Sequence, residues 1–140
     1  GFLLMVVGIA GSVIETGLTL GTGEASSTAA KAAAAAAAGA AGAAESAASA
    51  SAVASSLYSA GQAIGASMTA LAMLGFGVVG CGILIQKNFH TVISALIIVA
   101  GVIGMVVASV DYQSQLMFIP YLAYPVLTLA MGIITVRSNS

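Results

Sequence analysis

The 140 residues are 60% hydrophobic and 5% charged, with a mean hydropathy of +1.13, whereas about a quarter of an ordinary soluble domain is charged. Water alone does not keep such a chain monomeric. Three cations, Lys31, Lys87 and Arg137, nearly balance Glu15, Glu24, Glu45 and Asp111, so a single copy offers no electrostatic footprint for nucleic acid.

In chain order, Gly1 rather than Met opens the sequence, and residues 1–14 lack the basic n-region of an intact signal peptide, so Gly1 reads as a processed N-terminus. Residues 1–23 form an apolar N-terminal helix with Gly8, Gly11, Gly17 and Gly21 interspersed and one acid, Glu15. Residues 24–63 are a low-complexity stretch of Ala, Ser and Gly. Alanine is the best intrinsic helix former, and Glu24, Ser26 and Ser27 are placed to cap a helix start. Such a thin helix buries little area but permits close backbone approach, for instance at Gly61 and Gly65; the alternative is a flexible or aggregation-prone low-complexity linker.

Residues 64–86 carry no charge and are long enough to cross a hydrocarbon core of about 30 Å at about 1.5 Å per residue. Their glycines, Gly75, Gly77, Gly80 and Gly82, follow no strand and match no nucleotide loop; they read as packing residues. A short basic loop, 87–91, leads to a second apolar helix, 92–110, and so short a connection predicts an antiparallel helical hairpin. Residues 111–140 add a C-terminal apolar segment in which Pro120 and Pro125 are expected to kink or shorten the helix. Lys87 and Arg137 then fall at one end of three spans and Asp111 at the other, which places the two cations in the cytoplasm by the positive-inside rule.

Groups that carry chemistry are sparse. One His, one Cys and four scattered acids supply no nucleophile–base couple, no metal-ligand spacing and no phosphate loop, so neither catalysis nor a cofactor or metal is expected. The lone Cys81 excludes an internal disulfide. Glu15, an acid in an apolar segment, invites comparison with a proton relay; its simpler reading is the end of a short helix or a pair across an interface.

The hairpin GVVGCGILIQKNFHTVISALIIVAGVIGMVVAS resembles the corresponding region of the F-type conjugative pilins of type IV secretion systems, in which a charge-free helix runs into a Lys-Asn turn and a second apolar helix follows. The resemblance covers about a quarter of the chain and matches the family pattern at Lys87 and Asn88; His90 is a neighbour. It implies a subunit that waits in the cytoplasmic membrane with the loop inside, then is extracted with phospholipid into an extracellular hollow helical filament. Lys87, Asn88 and His90 would line the lumen, and a ring of Lys87 repeated around the tube would set the field felt by single-stranded DNA passing through. Snorkelling of Lys87 from a membrane hairpin to water is the simpler role. Residues of 75–86 and 92–105, among them Gly75, Gly77, Gly80, Gly82, Ile83, Ile93, Leu96 and Ile97, would contact lipid tails and adjacent subunits, with Gly61 and Gly65 extending that packing. The implied partners are many copies of the chain, phospholipid and the type IV secretion machinery.

The sequence departs from that family in length: such pilins end soon after the second helix, whereas 1–23 and 111–140 are additional here. Two other classes fit the composition, the coat protein of a filamentous or membrane-associated virus and a holin-like membrane pore. A coat would call for a strongly basic end, where Arg137 stands alone; a pore would call for a polar stripe, into which Thr69, Ser94 and Ser109 do not align. The expected fold is all-α, a hydrophobic helical hairpin with flanking apolar helices, stable in a membrane or in a helical filament.

Overall fold

The computed structural model describes residues 1–87 and 91–138. Four α-helices follow one another, α1 (Phe2–Ala37), α2 (Ala43–Gln86), α3 (Thr91–Val110) and α4 (Phe118–Ser138), with a 3₁₀ turn at Gln115–Met117 before α4. Among the described residues there is no strand, as the composition predicts, and all four helices are long and apolar enough to cross a membrane.

The helix boundaries correct the sequence reading. No break occurs at 23/24 or 63/64; α1 continues through Glu24, Ser26 and Ser27, and the chain turns instead at 38–42. Once a helix is nucleated, each further residue adds a hydrogen bond at little cost, so capping residues inside a run of good helix formers do not restart it. Thr22 and Thr28 instead donate their hydroxyls back to the carbonyls of Leu18 and Glu24, at 2.9 and 3.0 Å. What stops α1 is Gly39, at φ +83°. The Gly39 N–H donates to Ala36 O at 2.9 Å and the Ala40 N–H to Ala35 O at 3.0 Å, the two bonds of a Schellman cap, whose left-handed residue is most often glycine. Gly42, at φ +74°, completes the turn, and Glu45 in the first turn of α2 complements the helix dipole.

The prolines do not shorten α4, which runs for 21 residues. Pro120 falls in the first turn, where the missing N–H has no intrahelical partner in any case. Pro125 lies inside the helix and forfeits one bond. Before α4, the Ser114 hydroxyl accepts the Leu116 N–H at 3.3 Å, capping the 3₁₀ turn.

The chain divides into two compact units. The first comprises residues 1–11 and 66–140, and its centre is Phe76, Ile97 and Ala100, flanked by Met5, Ile83, Ile93, Tyr124, Leu127 and Met131. The rings of Phe76 and Tyr124 stand 4.7 Å apart at 58°, a tilted pairing favoured by aromatic quadrupoles. Within this unit α2 and α3 form the expected antiparallel hairpin: Gly80 faces Ile97 and Ile98, Gly77 faces Gly101, and Met73 faces Gly104. The first residues of α1 also run antiparallel to α2, with Gly1 and Met5 by Gly75 and with Gly8 by Ala72 and Met68.

The second unit comprises residues 12–65. Inside it Leu57 lies by Gly21, Leu18 by Gly61 and the Glu15 carboxylate by Gly65. Ala43 and Ala54 are buried there, while most of the remaining Ala and Ser surface is exposed, consistent with side chains too small to bury much area.

Candidate functional site

A site in this chain has to be built from surface and turn, because the described residues contain no group of three His, Cys, Asp or Glu side chains placed to hold a metal ion. Cys81 is a free thiol, exposed, on a shallow groove between α2 and α3 lined by Leu74, Val78, Ile98 and Val102.

The hairpin turn begins at Lys87, which is exposed and has φ +54°. A non-glycine residue in this left-handed conformation lets the chain reverse immediately after α2, at a cost of about 1–2 kcal/mol. Its ammonium therefore stands at the tip of a close-packed apolar hairpin. Asn88 and His90 lie outside the described residues.

The residues expected to meet lipid or neighbouring subunits separate into two groups. Gly75, Gly77 and Gly80 are buried and spent within the chain. A Cβ at Gly75 would meet Gly1 O at 2.7 Å, and one at Gly80 would meet Ile97 Cγ2 at 2.8 Å. Ile97 is wholly buried, and Ile83 and Ile93 are half-buried against the core. Gly65 is occupied by the Glu15 side chain, whereas a Cβ at Gly61 would stand at an ordinary 3.5 Å from Leu18 Cβ. Only Gly82, with open space where a Cβ would be, and Leu96, half exposed, face outward. The reason is geometric: small residues let two helices of one chain approach closely, and the short connection makes the adjacent helix the first surface they meet.

Outward-facing groups are instead large and apolar. Val92, Leu96, Val99, Ile103 and Val106 on α3, and Ile119, Leu122, Val126, Leu129 and Ile133 on α4, are each 40 to 66% exposed. Contiguous exposed apolar area on this scale marks a surface that meets lipid or protein. Polar side chains on it satisfy themselves locally, Ser109 donating to Met105 O at 2.8 Å and Thr128 to Tyr124 O at 2.7 Å, the arrangement that a helix in hydrocarbon requires.

Sequence reading did not single out Gly101, Gly104, Phe76 or Tyr124. The first two carried a legible signal, since Gly101 and Gly104 recur at helical spacing with Ile97, Ala100 and Ala108 on the buried face of α3. Between the start of α1, α2 and α4 lies an apolar cleft of about 160 Å³ lined by Met5, Ile9, Ala72, Met73, Tyr121 and Tyr124. The Tyr121 hydroxyl stands 3.4 Å from Thr69 Oγ1.

Comparison with models of protein families, with curated proteins and with solved structures finds no match to this chain.

Proposed function

We propose that the chain is a structural subunit of a conjugation-type pilus of a type IV secretion system, assembling with phospholipid into a hollow helical tube for DNA transfer. The observation that carries this reading is the α2–α3 hairpin: two apolar helices packed through Gly77, Gly80 and Gly101, closed by an exposed Lys87. The large apolar side chains left exposed on α3 and α4 support a subunit whose remaining contacts come from copies of itself and from lipid tails. The cleft lined by Met5, Ile9, Ala72 and Met73 accepts the end of an acyl chain, with Tyr121 and Thr69 as its polar neighbours. Lys87 then supplies one positive charge per subunit toward the lumen.

The test is electron microscopy of filaments sheared from cells, with lipid extraction and mass spectrometry of the same fraction. Hollow filaments made of this chain with stoichiometric phospholipid are the expected result. Closed particles that hold nucleic acid would make it a coat protein, and recovery only from membranes would favour a pore.

A further inference from the structure

In the first unit an apolar cleft and a polar ledge meet at one side chain, Tyr121. The cleft, about 160 Å³, is lined by Met5, Ile9, Ala72, Met73 and Tyr124 together with Tyr121. Tyr121 also borders a shallower hollow of about 540 Å³, with Ser114, Gln115 and Phe118. An apolar cavity of about 150 Å³ stays dry and takes up a molecule the size of benzene, so the cleft has room for several carbons of a chain. It opens where Ile9 is 60% and Tyr121 46% exposed.

Polar groups gather at one end only. The Tyr121 hydroxyl and Thr69 Oγ1 stand 3.4 Å apart, longer than the usual O–H···O distance of about 2.7 Å, so both keep capacity for an outside partner. On the other side of Tyr121 the ledge offers the Ser114 hydroxyl and the exposed Gln115 amide. An occupant that fills both places is apolar at one end and polar at the other. Phe118, Ile119 and Leu122, 55 to 69% exposed, surround Tyr121 with surface suited to lipid.

Charge beside the ledge has one sign. Asp111 is the single acidic side chain of the first unit; it is exposed, and its carbonyl accepts the Ser114 N–H at 3.0 Å, which holds it within one turn of the ledge. Lys87 is about 27 Å from Thr69 along α2, and Arg137 about 24 Å from Tyr121 along α4, well beyond a Debye length of about 8 Å. Within this unit an anionic head on the ledge meets Asp111 with no side-chain cation to offset it, whereas an ammonium is attracted.

We propose that the first unit binds one lipid molecule, with an acyl chain in the cleft and an ammonium-bearing head on the ledge of Ser114, Gln115 and Tyr121 beside Asp111. None of these residues belongs to the hairpin that carries the pilin resemblance. The site deepens the lipid part of the function proposed above and rests on that part alone, without filament assembly.

The experiment reconstitutes the full chain in phosphatidylcholine vesicles that contain a trace of a lipid with a diazirine on its acyl chain, bearing either an ethanolamine or a glycerol head. Cross-linked peptides are mapped by mass spectrometry. Expected is labelling of Met5 and Met73 in excess of the exposed Leu129 and Ile133, and about two- to fivefold stronger from the ethanolamine lipid, the range of an exposed ion pair. Asp111→Asn should bring the two heads level. Tyr121→Phe should lower labelling from both about threefold, and Ile9→Trp, built from the exposed wall, should fill the cleft and remove it. Cleft labelling no greater than at Leu129, or unchanged by both Ile9→Trp and Tyr121→Phe, overturns the site. Equal or stronger labelling from the glycerol lipid, or a head preference that survives Asp111→Asn, overturns the assigned head. Filaments without cleft labelling would remove this site and leave the pilus standing; cleft labelling without filaments would do the reverse.

Discussion

Gly101 lies against the backbone of Gly77, and the relationship is not symmetric. A Cβ placed on Gly101 would stand 2.5 Å from Gly77 N and 2.7 Å from Met73 O, whereas a Cβ placed on Gly77 would find Gly101 Cα at 3.7 Å. Backbone atoms inside a helix do not move aside as the end of a side chain does, so Gly101→Ala is expected to force the α2–α3 pair apart and to destabilise it by about 1–3 kcal/mol. Gly77→Ala is expected to be neutral or slightly stabilising through its better helix propensity. Thermal unfolding of both variants in detergent checks this; equal losses would show that the hairpin does not close in this register.

The glycines of the second half of α2 should separate in the same way. Gly80→Leu meets Ile97 and Ile98 and should lower both subunit stability and filament yield, while Gly82→Ala, built into open space, should gain up to about 1 kcal/mol from helix propensity alone. Unchanged filament yield from Gly80→Leu would count against this packing. Gly61→Ala, at ordinary contact distance from Leu18, should be tolerated.

Ser94 is fully buried, and its hydroxyl has no hydrogen-bond partner. An unpaired buried hydroxyl is a desolvation cost of about 1–3 kcal/mol, so Ser94→Ala should stabilise the chain by about 1 kcal/mol without altering the helix content seen by circular dichroism. A destabilised Ser94→Ala would mean that the hydroxyl holds a water molecule or a partner in the assembled state.

Phe76, buried to within 1% and paired with Tyr124, ties α4 to the hairpin. Phe76→Ala should cost about 3–5 kcal/mol. A double-mutant cycle with Tyr124→Leu should return a coupling of about 0.5–1.5 kcal/mol for the ring pair. A coupling near zero would place α4 away from Phe76 in the folded chain.

Two substitutions at Lys87 separate its backbone from its charge. Lys87→Gly relieves the left-handed conformation and should stabilise the hairpin by about 1 kcal/mol. Lys87→Glu should leave assembly possible but lower DNA passage, because it inverts the sign of every charge in the proposed ring. Unaltered transfer by Lys87→Glu would remove the lumen role.

The hairpin was legible because two charge-free runs joined at Lys87 leave a chain few alternatives to antiparallel helices, and α2 and α3 pair in that way. The break at 38–42 was less visible. Gly39 and Gly42 lie in a run where Gly61, Gly65 and Gly75 stay helical, and composition does not say which glycine adopts positive φ. That choice is made when the helices on either side find partners.

Composition alone determined that this chain is helical and apolar enough for a membrane, because alanine propensity and charge-free runs act residue by residue. Tertiary structure decided which small residues are spent inside the chain and which large ones face outward. Gly77 and Gly82 read alike in sequence, but one meets Gly101 and the other nothing. The difference lies in the rotation of α2 about its own axis, which is fixed only when Ile97 of α3 and Tyr124 of α4 pack around Phe76.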